Sequence, residues 1–537
     1  HLGRIPYEEV YFSSRYIEGA MLVYLRSLGL VAPSKLPTAS YDGSESRFSG
    51  AYVKSPIPGR YDWVFDLDLT SMYPSIIMSL NMSPETKIGK INGWDAEEFI
   101  RGEEKHYSVD KDGKSIRTFT SGELKDFFNK NEISISSNGV LYDLKQKGVI
   151  PAILEKWFNE RVEYRKLAKK YGEEGNDELH GYFDRRQLVQ KILLNSLYGV
   201  LGLTVFRFYD IDNAEGTTTT GQKLIQFTEK IANNYYNNIL KTKEDYCIYT
   251  DTDSVFYSAL PLVKNRHPNA DVKDDKFMTE QILEIAGEVQ DYINKSYNYF
   301  SSKFLNIRGD HRFEIKQEMI AKSAFWVTKK RYGQWIINDG GLEVEKLDVK
   351  GLDIVRSSFP PAFRDFMTKV LKAILAKVPK DKIDGFILNF KNNLQNEELD
   401  KIALPTGVKG LNKYMDKSKG GFKSKTMFTP MRKGAPVHTK ASVIYNDLLK
   451  HFKTNNHEPI SNGNKVRWVY LKQNPFNIDG IAYKGYDDPK QIIDFINQYV
   501  DRDKLFDKAL NKKIKMFYDA MSWDMPVEKK NTIEKFF

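Results

Sequence analysis

Two acidic strand ends are the residues in this sequence most suited to chemistry. Residues 246–256 place apolar, β-favouring side chains on both sides of a short polar turn, which predicts a β-hairpin with Asp251 and Asp253 at its tip. Taken alone, an acidic tip favours turn chemistry and solubility, because aspartate is a common turn residue. A second apolar strand, residues 61–68, also ends in an aspartate, Asp68.

Asp68 and Asp253 suit divalent cations if the two strand ends lie side by side. Mg²⁺ prefers oxygen ligands and is commonly bound by one or two carboxylates together with substrate phosphates. Carboxylates that bridge two ions about 3.5–4 Å apart stabilise both the attacking and the leaving oxygen of a displacement. Because strand ends are rigid, the pair predicts a two-ion site for phosphoryl transfer.

Two long predicted helices, residues 151–171 and 184–198, would supply cations opposite such a site. The first places Arg161, Arg165 and Lys169 four residues apart, and the second does the same for Gln187, Lys191 and Asn195. Glycines at 172, 175 and 181 predict the reversal between them. Solvent exposure alone would also explain a charged helix face. The functional alternative is that Arg161, Arg165 and Lys191 hold a triphosphate.

The rest of the chain predicts a mixture of helices and strands. A helix over residues 7–28 precedes a turn-rich linker, and hairpin turns are predicted at residues 112–113 and 138–139. Residues 205–260 read as strand, helix, strand. A helix is predicted over 278–300, strands over 312–320, 325–327 and 334–337, and helices over 363–375 and 382–390.

Composition narrows the class of protein. The chain has 537 residues, 41% hydrophobic and 13% aromatic, which predicts several packed subdomains and excludes a disordered chain. A net charge of +10 favours a polyanionic partner. The single cysteine, Cys247, excludes an internal disulfide framework and fits a reducing compartment. No apolar run is long enough to span a membrane, and no signal peptide is visible.

Three segments resemble motifs of the family B DNA polymerases. Residues 68–76 (DLTSMYPSI) resemble motif A, residues 191–199 (KILLNSLYG) motif B, and residues 249–254 (YTDTDS) motif C. Residues 329–332 and 350–357 resemble two later DNA-contact motifs. The motifs occur in the family's order and spacing, and the resemblance covers nearly the whole chain. Flanking segments at 137–139, 433–446 and 474–476 are similar to the replicative polymerases of T-even-type bacteriophages.

This resemblance implies an α+β right-hand fold, with an antiparallel-sheet palm, two-helix fingers and a mostly helical thumb. The expected divisions are an N-terminal helical segment and linker (1–60), a first palm segment (61–150), fingers (151–204), a second palm segment (205–360), and a thumb with a C-terminal tail (361–537). The expected activity is template-directed DNA synthesis on a primer, as in a phage replicative enzyme acting in the host cytoplasm. The expected substrates are primer–template DNA and dNTPs.

The same resemblance implies roles for individual residues. Asp68 and Asp253 would bind two Mg²⁺ ions, for which Mn²⁺ can substitute, with the Leu69 carbonyl completing one shell. Asp251 would be an auxiliary acid, and Glu318 would lie nearby.

The resemblance also implies contacts to the incoming nucleotide. Ser71 and Met72 would offer backbone N–H groups to the triphosphate, and Tyr73 would exclude a ribose 2′-hydroxyl. Lys191 would donate a proton to pyrophosphate and, with Asp68 and Asp253, complete the catalytic set. The finger contacts would be Arg161, Arg165, Lys191 and Asn195.

Expected DNA contacts lie in three places. Tyr198 and Gly199 would face the nascent base pair, and the two later motifs would contact the duplex through Lys329, Lys330, Arg331, Tyr332, Lys350, Gly351 and Arg356. A basic, glycine-rich stretch over residues 409–440 predicts salt-sensitive phosphate contacts, against the alternative of a solvated loop.

Three residues depart from the family pattern or compete with it. Thr250 stands where the family commonly has glycine, so an identical hairpin backbone is not assumed. Arg165 replaces a lysine, which keeps the charge but presents a planar fork. Asp66 lies on the same strand face as Asp68, yet the motif register assigns the metal role to Asp68 and a structural role to Asp66.

Expectations about partners concern the chain ends. Too few residues precede the linker for the family's proofreading exonuclease, so we expect no proofreading by this chain and allow a separate exonuclease subunit. The C-terminal Ile533, Phe536 and Phe537 resemble a sliding-clamp-binding tail, against the alternative of a frayed terminus. The rival functions are a non-catalytic DNA-binding relative, a protein-primed polymerase and a metal-dependent nuclease.

Overall fold

The computed structural model describes residues 3–35, 48–111, 113–415, 427–454 and 456–527. The helices are α1 (Ser13–Ser27), α2 (Met72–Leu80), α3 (Ala96–Arg101), α4 (Ser121–Lys130), α5 (Val149–Glu173), α6 (Asp177–Leu201), α7 (Ile211–Leu240), α8 (Leu260–Arg266), α9 (Asp275–Phe304), α10 (Pro361–Leu375), α11 (Lys380–Asn393), α12 (Leu399–Ile402), α13 (Leu411–Tyr414), α14 (Val437–His451), α15 (Lys490–Tyr499), α16 (Arg502–Leu505) and α17 (Lys512–Ala520). Short 3₁₀ turns and one π-helical turn (Phe506–Asn511) lie between them.

The strands are β1 (Gly59–Leu69), β2 (Lys87–Ile91), β3 (His106–Lys111), β4 (Lys114–Thr120), β5 (Ile133–Ile135), β6 (Val140–Asp143), β7 (Cys247–Asp251), β8 (Ser254–Ser258), β9 (Ile315–Thr328), β10 (Arg331–Asp339), β11 (Leu342–Lys350), β12 (Leu404–Gly407), β13 (Lys465–Tyr470) and β14 (Gly480–Tyr483). Mixed helix and antiparallel sheet is the content that an α+β fold requires. Among the described residues, no helix has the length and apolar character needed to cross a bilayer.

The chain forms two compact units. Unit 1 contains residues 1–55, 63–320 and 338–343, and unit 2 contains residues 56–62, 321–337 and 344–537. In unit 1, strands follow the order β9–β1–β8–β7, and helix α7 packs on the β7–β8 hairpin and against α9. A separate sheet in the order β4–β3–β2–β6–β5 encloses a small apolar core of its own.

Unit 2 combines helices with strands. It contains most of β10 and β11, the second half of β9, and a three-stranded antiparallel sheet in the order β12–β13–β14. Its core is built by apolar side chains from α10, α14, α15 and α17 together with β13 and β14. This sheet lies in the segment for which the sequence predicted mostly helix.

Several predicted boundaries were wrong. No strand precedes α7 among residues 205–210, where the chain instead forms turns. Helix α6 begins at Asp177, so Gly181 lies inside the helix and the reversal is confined to residues 174–176. The separate strands predicted at 312–320 and 325–327 are one continuous strand, β9. The hairpins predicted at 112–113 and 138–139 are confirmed by the pairing of β3 with β4 and of β5 with β6.

Candidate active site

The two acidic strand ends are adjacent in unit 1. Strands β1 and β8 pair antiparallel, with Asp68 opposite Ser254. The Leu69 N–H, one residue beyond Asp68, donates to the main-chain carbonyl of Asp253 at 2.8 Å. Leu69 itself is buried. The structure therefore brings Asp68 and Asp253 to the same end of one sheet, held there by main-chain hydrogen bonds.

The surroundings of Asp68 are strongly acidic. Burial raises the pKa of the Asp68 carboxyl to about 8, and the neighbouring carboxylates of Asp253, Glu318 and Asp66 add to the increase. Lys191 acts in the opposite direction, which places this helix cation within electrostatic reach of the acids. Several carboxylates with little positive charge near them favour the binding of a cation.

Asp66 is held by the protein main chain. Its carboxylate is buried and accepts a hydrogen bond from the Met319 N–H at 2.8 Å. Burial raises the pKa of Asp66 to about 7, with the Glu318 charge adding to the effect. This placement fits the structural role assigned to Asp66 from the motif register. Glu318 is exposed, and its main-chain carbonyl accepts from the Gly340 N–H at 2.7 Å.

The tip of the β7–β8 hairpin is a tight two-residue turn. The Asp251 carboxylate accepts hydrogen bonds from the Tyr249 hydroxyl and the Thr252 hydroxyl, each at 3.1 Å. Thr252 adopts a φ of 63°, a left-handed conformation that is strained for a β-branched residue. The Thr252 N–H donates to the Tyr52 carbonyl at 3.0 Å, so the turn is held from outside the hairpin.

Helices α5 and α6 form the predicted antiparallel pair. Gln190 donates to Glu160 across the pair, Arg186 donates to the Tyr164 hydroxyl at 3.4 Å, and His180 contacts the Ala168 carbonyl at 2.9 Å. Tyr171 and Phe183 stack with ring centroids 5.6 Å apart. Contacts along the whole length fix the register of the two helices.

The predicted finger residues lie on these two helices. Lys191, Asn195 and Arg165 are exposed, whereas Arg161 is half-buried. Burial lowers the pKa of the Arg161 guanidinium, and the nearby charge of Arg165 lowers it further. The Arg161 Nε is buried without a hydrogen-bond partner in the described part of the chain. Two close cations, one with an unsatisfied donor, are suited to binding an anion.

Helix α2 begins directly after the acidic end of β1. Ser71 adopts a φ of 49° and turns the chain into the helix, so the first N–H groups of α2, from Met72 and Tyr73, lie beside Asp68 in the chain. The first N–H groups of a helix have no partner within it and attract anions. Helix α2 also packs against α5, α6 and α7.

Tyr73 and Tyr198 are in direct contact. Their ring centroids are 4.2 Å apart, which joins α2 to the α6 segment that carries Tyr198 and the exposed Gly199. Behind Tyr73 lies Gly221 of α7, where an added Cβ would be 3.0 Å from the Tyr73 Cε1 and 3.1 Å from the Met72 Cε. The Tyr73 ring is therefore closely packed on the side facing α7.

The two later segments that are expected to contact DNA, residues 329–332 and 350–357, meet at a turn in unit 2. Lys330, with a φ of 58°, links β9 to β10, and its carbonyl lies so close to Gly351 that an added Cβ would be 1.9 Å away. Lys329, Lys330, Lys350 and Arg356 are exposed.

Several residues of these segments make contacts within the protein. Tyr332 is 7% exposed and stacks on Trp326 at 5.6 Å, so its ring is an interior contact. Arg331 pairs with Asp353 at 2.6 Å, and Arg356 approaches the same carboxylate at 3.5 Å. The predicted clamp residues Ile533, Phe536 and Phe537 lie outside the described residues, as does part of the basic stretch.

Few of the described side chains could serve as oxygen ligands for a metal ion. Within the described ranges, no cluster of three or more His, Cys, Asp or Glu side chains has the arrangement of a metal site. The fit therefore depends on the paired carboxylates of Asp68 and Asp253, which are the oxygen donors that Mg²⁺ prefers when substrate phosphates supply the remainder.

Sequence reasoning missed the residues behind the hairpin. Lys54 and Glu229 form an ion pair at 2.7 Å, and the Glu229 carboxylate also accepts from the Thr250 hydroxyl at 3.2 Å. Residue 54 is 175 positions from residue 229, and no local pattern predicts their contact. The Thr250 departure was visible in the sequence, but its partners were not.

The sequence is also similar to a known protein family and to known proteins. The family model described as DNA polymerase family B matches residues 10–520. The chain belongs to the family B DNA polymerases. Among curated family B relatives, the DNA-directed DNA polymerases of Enterobacteria phage T4 and Escherichia phage RB69 are 26% and 27% identical to it, in each case over 91% of this chain and 57% of the relative.

A cellular DNA polymerase is also similar. The DNA polymerase delta catalytic subunit of Dictyostelium discoideum is 24% identical over 91% of this chain and 36% of its own length. The chain thus spans little more than half the length of the phage polymerases.

Proposed function

We propose that this chain is a template-directed DNA polymerase that extends a primer 3′ end with dNTPs; the similar phage proteins are named DNA-directed DNA polymerases. The observation that carries the proposal is the placement of Asp68 and Asp253 on adjoining strand ends, with Lys191 of α6 in electrostatic reach. A protein that only binds DNA has no need for acids that repel one another at the ends of adjoining strands.

In this proposal the cofactor is a pair of Mg²⁺ ions, for which Mn²⁺ can substitute. Asp68 and Asp253 would hold them, with the Leu69 carbonyl as a further ligand and Asp251 and Glu318 as nearby acids. When bound, the ions supply charge neutralisation for the phosphates and increase the acidity of the primer 3′-hydroxyl. Aspartates fixed on strand ends would hold their oxygens in place for such ions more firmly than acids on long loops.

The nucleotide triphosphate would be bound from two sides. The N–H groups of α2 at Met72 and Tyr73, together with Ser71, would receive phosphate oxygens. Arg161, Arg165, Lys191 and Asn195 would bind the triphosphate from the paired helices, and the unsatisfied Arg161 Nε supports this role.

The reaction forms one phosphorus–oxygen bond and breaks another. The primer 3′-hydroxyl loses its proton to solvent, its oxygen attacks the α-phosphorus, and the bond from the α-phosphorus to pyrophosphate breaks. Lys191 would donate a proton to the departing pyrophosphate, as the resemblance of residues 191–199 to motif B implies; its charge also acts on Asp68.

Sugar selection would depend on Tyr73. Its ring contacts Tyr198 on one side and has little free space towards Gly221, so it is suited to exclude a 2′-hydroxyl. Tyr198 and Gly199 would then face the nascent base pair from α6.

These roles assign the palm, fingers and thumb to parts of the chain. The sheet of unit 1 that carries Asp68 and Asp253 would be the palm, within residues 61–150 and 205–360, and α5 and α6 would be the fingers, residues 151–204. Residues 361–537, with their helices and three-stranded sheet, would be the thumb and tail. Residues 1–60 would be an N-terminal segment and linker.

Duplex DNA would be bound through phosphates in unit 2. The exposed cations Lys329, Lys330, Lys350 and Arg356 converge at the turn that Gly351 closes. Arg331 and Tyr332 would support this turn from within, since one pairs with Asp353 and the other stacks on Trp326. The basic stretch around residues 409–440 would add non-specific affinity.

A sliding clamp is a further proposed partner. An apolar residue followed by two aromatics, Ile533, Phe536 and Phe537, could enter a pocket on such a clamp. Deleting Phe536 and Phe537 should then abolish capture of this chain by its cognate clamp without changing extension of a short primer.

Primer extension tests the main proposal. The purified chain, a labelled primer–template and Mg²⁺ should give products that lengthen one nucleotide at a time in the order set by the template. EDTA should stop the reaction. Shortened strands would instead identify a nuclease, and DNA binding without any change in length would identify a non-catalytic relative.

A further inference from the structure

The outer edge of the catalytic hairpin is covered by the chain before β1. Residues 52–54 run antiparallel to β7, with a bridge between Val53 and Asp251. The Lys54 N–H donates to the Thr250 carbonyl, and the Thr252 N–H donates to the Tyr52 carbonyl, both at 3.0 Å. The strained turn before Asp253 is therefore pinned by hydrogen bonds from this segment.

Three side chains, which we call the hairpin brace, reinforce this edge: Lys54, Glu229 and Thr250. The Thr250 hydroxyl is fully buried and donates to one Glu229 oxygen at 3.2 Å, while Lys54 pairs with the other Glu229 oxygen at 2.7 Å. Lys54 also pairs with Asp245 at 2.5 Å, just before β7. The side chains of Lys54 and Glu229 are each only 16% exposed.

We propose that the hairpin brace positions Asp253 for metal binding, so that Thr250, Glu229 and Lys54 are positioning residues of the reaction. The brace joins helix α7 and residues 52–54 to a strand position three residues before Asp253. The brace acts through the backbone, because residues 52–54 form hydrogen bonds with the main-chain groups of Thr250 and Thr252. This inference rests on the proposed function for the kinetic part of its test.

The physical reason is the strain at Thr252. A β-branched residue with a φ of 63° returns to an extended conformation unless its neighbours hold it. Relaxation of this turn would displace Asp253. Small displacements of reacting groups have large effects on rate.

A purely structural network would give different results, and the chain offers a matched control. Thr228, on the same helix as Glu229, is also fully buried, and its hydroxyl bonds to the Leu224 carbonyl at 2.8 Å and the Tyr297 hydroxyl at 2.7 Å. Thr228→Val and Thr250→Val each remove one buried hydroxyl while keeping the branched shape. Only the second change touches the hairpin brace.

The experiment compares the whole chain as wild type, Thr250→Val, Thr250→Ser and Thr228→Val. Mn²⁺ binding is followed by electron paramagnetic resonance of the free ion, and primer extension gives kcat, KM for dNTP and the Mg²⁺ concentration for half-maximal rate. Melting temperatures of all four proteins show the general effect of losing a buried hydroxyl.

Thr250→Val should weaken Mn²⁺ binding and raise the half-maximal Mg²⁺ concentration, each by about threefold or more, and lower kcat by about tenfold, equivalent to about 1.4 kcal/mol. The KM for dNTP should stay within about twofold, since the nucleotide contacts lie on other elements. Thr250→Ser should recover metal binding and kcat. Thr228→Val should lower the melting temperature similarly and leave both metal readouts unchanged.

The inference is overturned if Thr250→Val and Thr228→Val have the same metal affinity as the wild type, whatever their melting temperatures. Because Mn²⁺ binding is measured without DNA, this outcome does not need an active polymerase. A wild type that binds Mn²⁺ but does not extend primers would instead contradict the proposed function.

Discussion

Replacing Asp68 with asparagine should abolish extension while making the protein more stable. Asp68→Asn removes one negative charge from a partly buried group of acids but keeps the size of the side chain. Loss of the proposed metal ligand should reduce kcat by at least about 10³-fold, or about 4 kcal/mol. The stability effect has the opposite sign, because the ionised carboxylate is unfavourable in the folded protein without metal.

The size of the stability effect follows from the pKa of Asp68, which burial raises from its ordinary 3.8 to about 8. One pKa unit corresponds to about 1.4 kcal/mol of free energy. Because Asp68 is partly exposed, solvent screening reduces the free-energy cost of its pKa shift to roughly 1–2 kcal/mol. Since the folded pKa lies above the unfolded one, this penalty is absent near pH 4 and grows as the pH rises towards 8.

The assay is thermal unfolding in EDTA at several pH values, beside single-turnover extension in Mg²⁺. Asp68→Asn should raise the melting temperature by about 1–3 °C near pH 8 and by very little near pH 4. Mg²⁺ should stabilise the wild type more than the variant.

Asp66→Asn is the matched control, because Asp66 lies two residues earlier on the same strand face and is also buried with a raised pKa. It should retain extension within about tenfold, since the asparagine oxygen can still accept from the Met319 N–H. Equal activity losses in the two variants, or an active Asp68→Asn, would refute the assignment of the metal role to Asp68.

Other predictions concern separate regions of the chain. Tyr73→Ala should raise the ratio of ribonucleotide to deoxynucleotide incorporation efficiency, measured as kcat/KM for CTP and dCTP; an unchanged ratio would remove the gating role. Combined Lys329→Ala and Lys350→Ala should weaken duplex binding and reduce the slope of log affinity against log salt by about two, whereas Lys382→Ala, an exposed lysine of α11, should do neither. Cys247 is buried, and burial raises the pKa of its thiol to about 12, so a thiol reagent at pH 8 should label it only on unfolding; rapid labelling of the native chain would contradict that burial.

The sequence predicted best the elements whose pattern is local. The strand that ends at Asp68, the acidic hairpin and the long helices α5 and α9 each carry a strong period, and the structure contains them all. Boundaries failed where a local signal misled. Gly181 suggested a break, but α6 includes it, because tertiary packing of the paired helices outweighs the modest helix penalty of one glycine.

The three-stranded sheet of unit 2 shows a second kind of failure. Strand β12 contains Pro405, which normally argues against a strand, and it lies at the edge of the sheet, where a missing N–H is tolerated. Strand β13, in contrast, alternates Val466, Trp468 and Tyr470 with other residues, a signal that a reading of the sequence could have used.

Contacts between distant residues lie beyond any local pattern. Motif resemblance selected Asp68, Asp253 and Lys191, and the structure places these three within electrostatic reach. Lys54 and Glu229 carry no motif, and only the fold shows that they meet behind Thr250. The burial of Tyr332, whose ring stacks on Trp326, was likewise not predictable from its motif.

The glycine of α7 that faces Tyr73 has a consequence for engineering sugar tolerance. With only 3.0 Å between a hypothetical Cβ at position 221 and the Tyr73 Cε1, any side chain there would displace the phenol ring. Under the role proposed for Tyr73, substitutions at 221 should therefore disturb sugar selection or abolish extension. Libraries that aim at 2′-modified nucleotides have to vary the tyrosine itself and leave its backing helix alone.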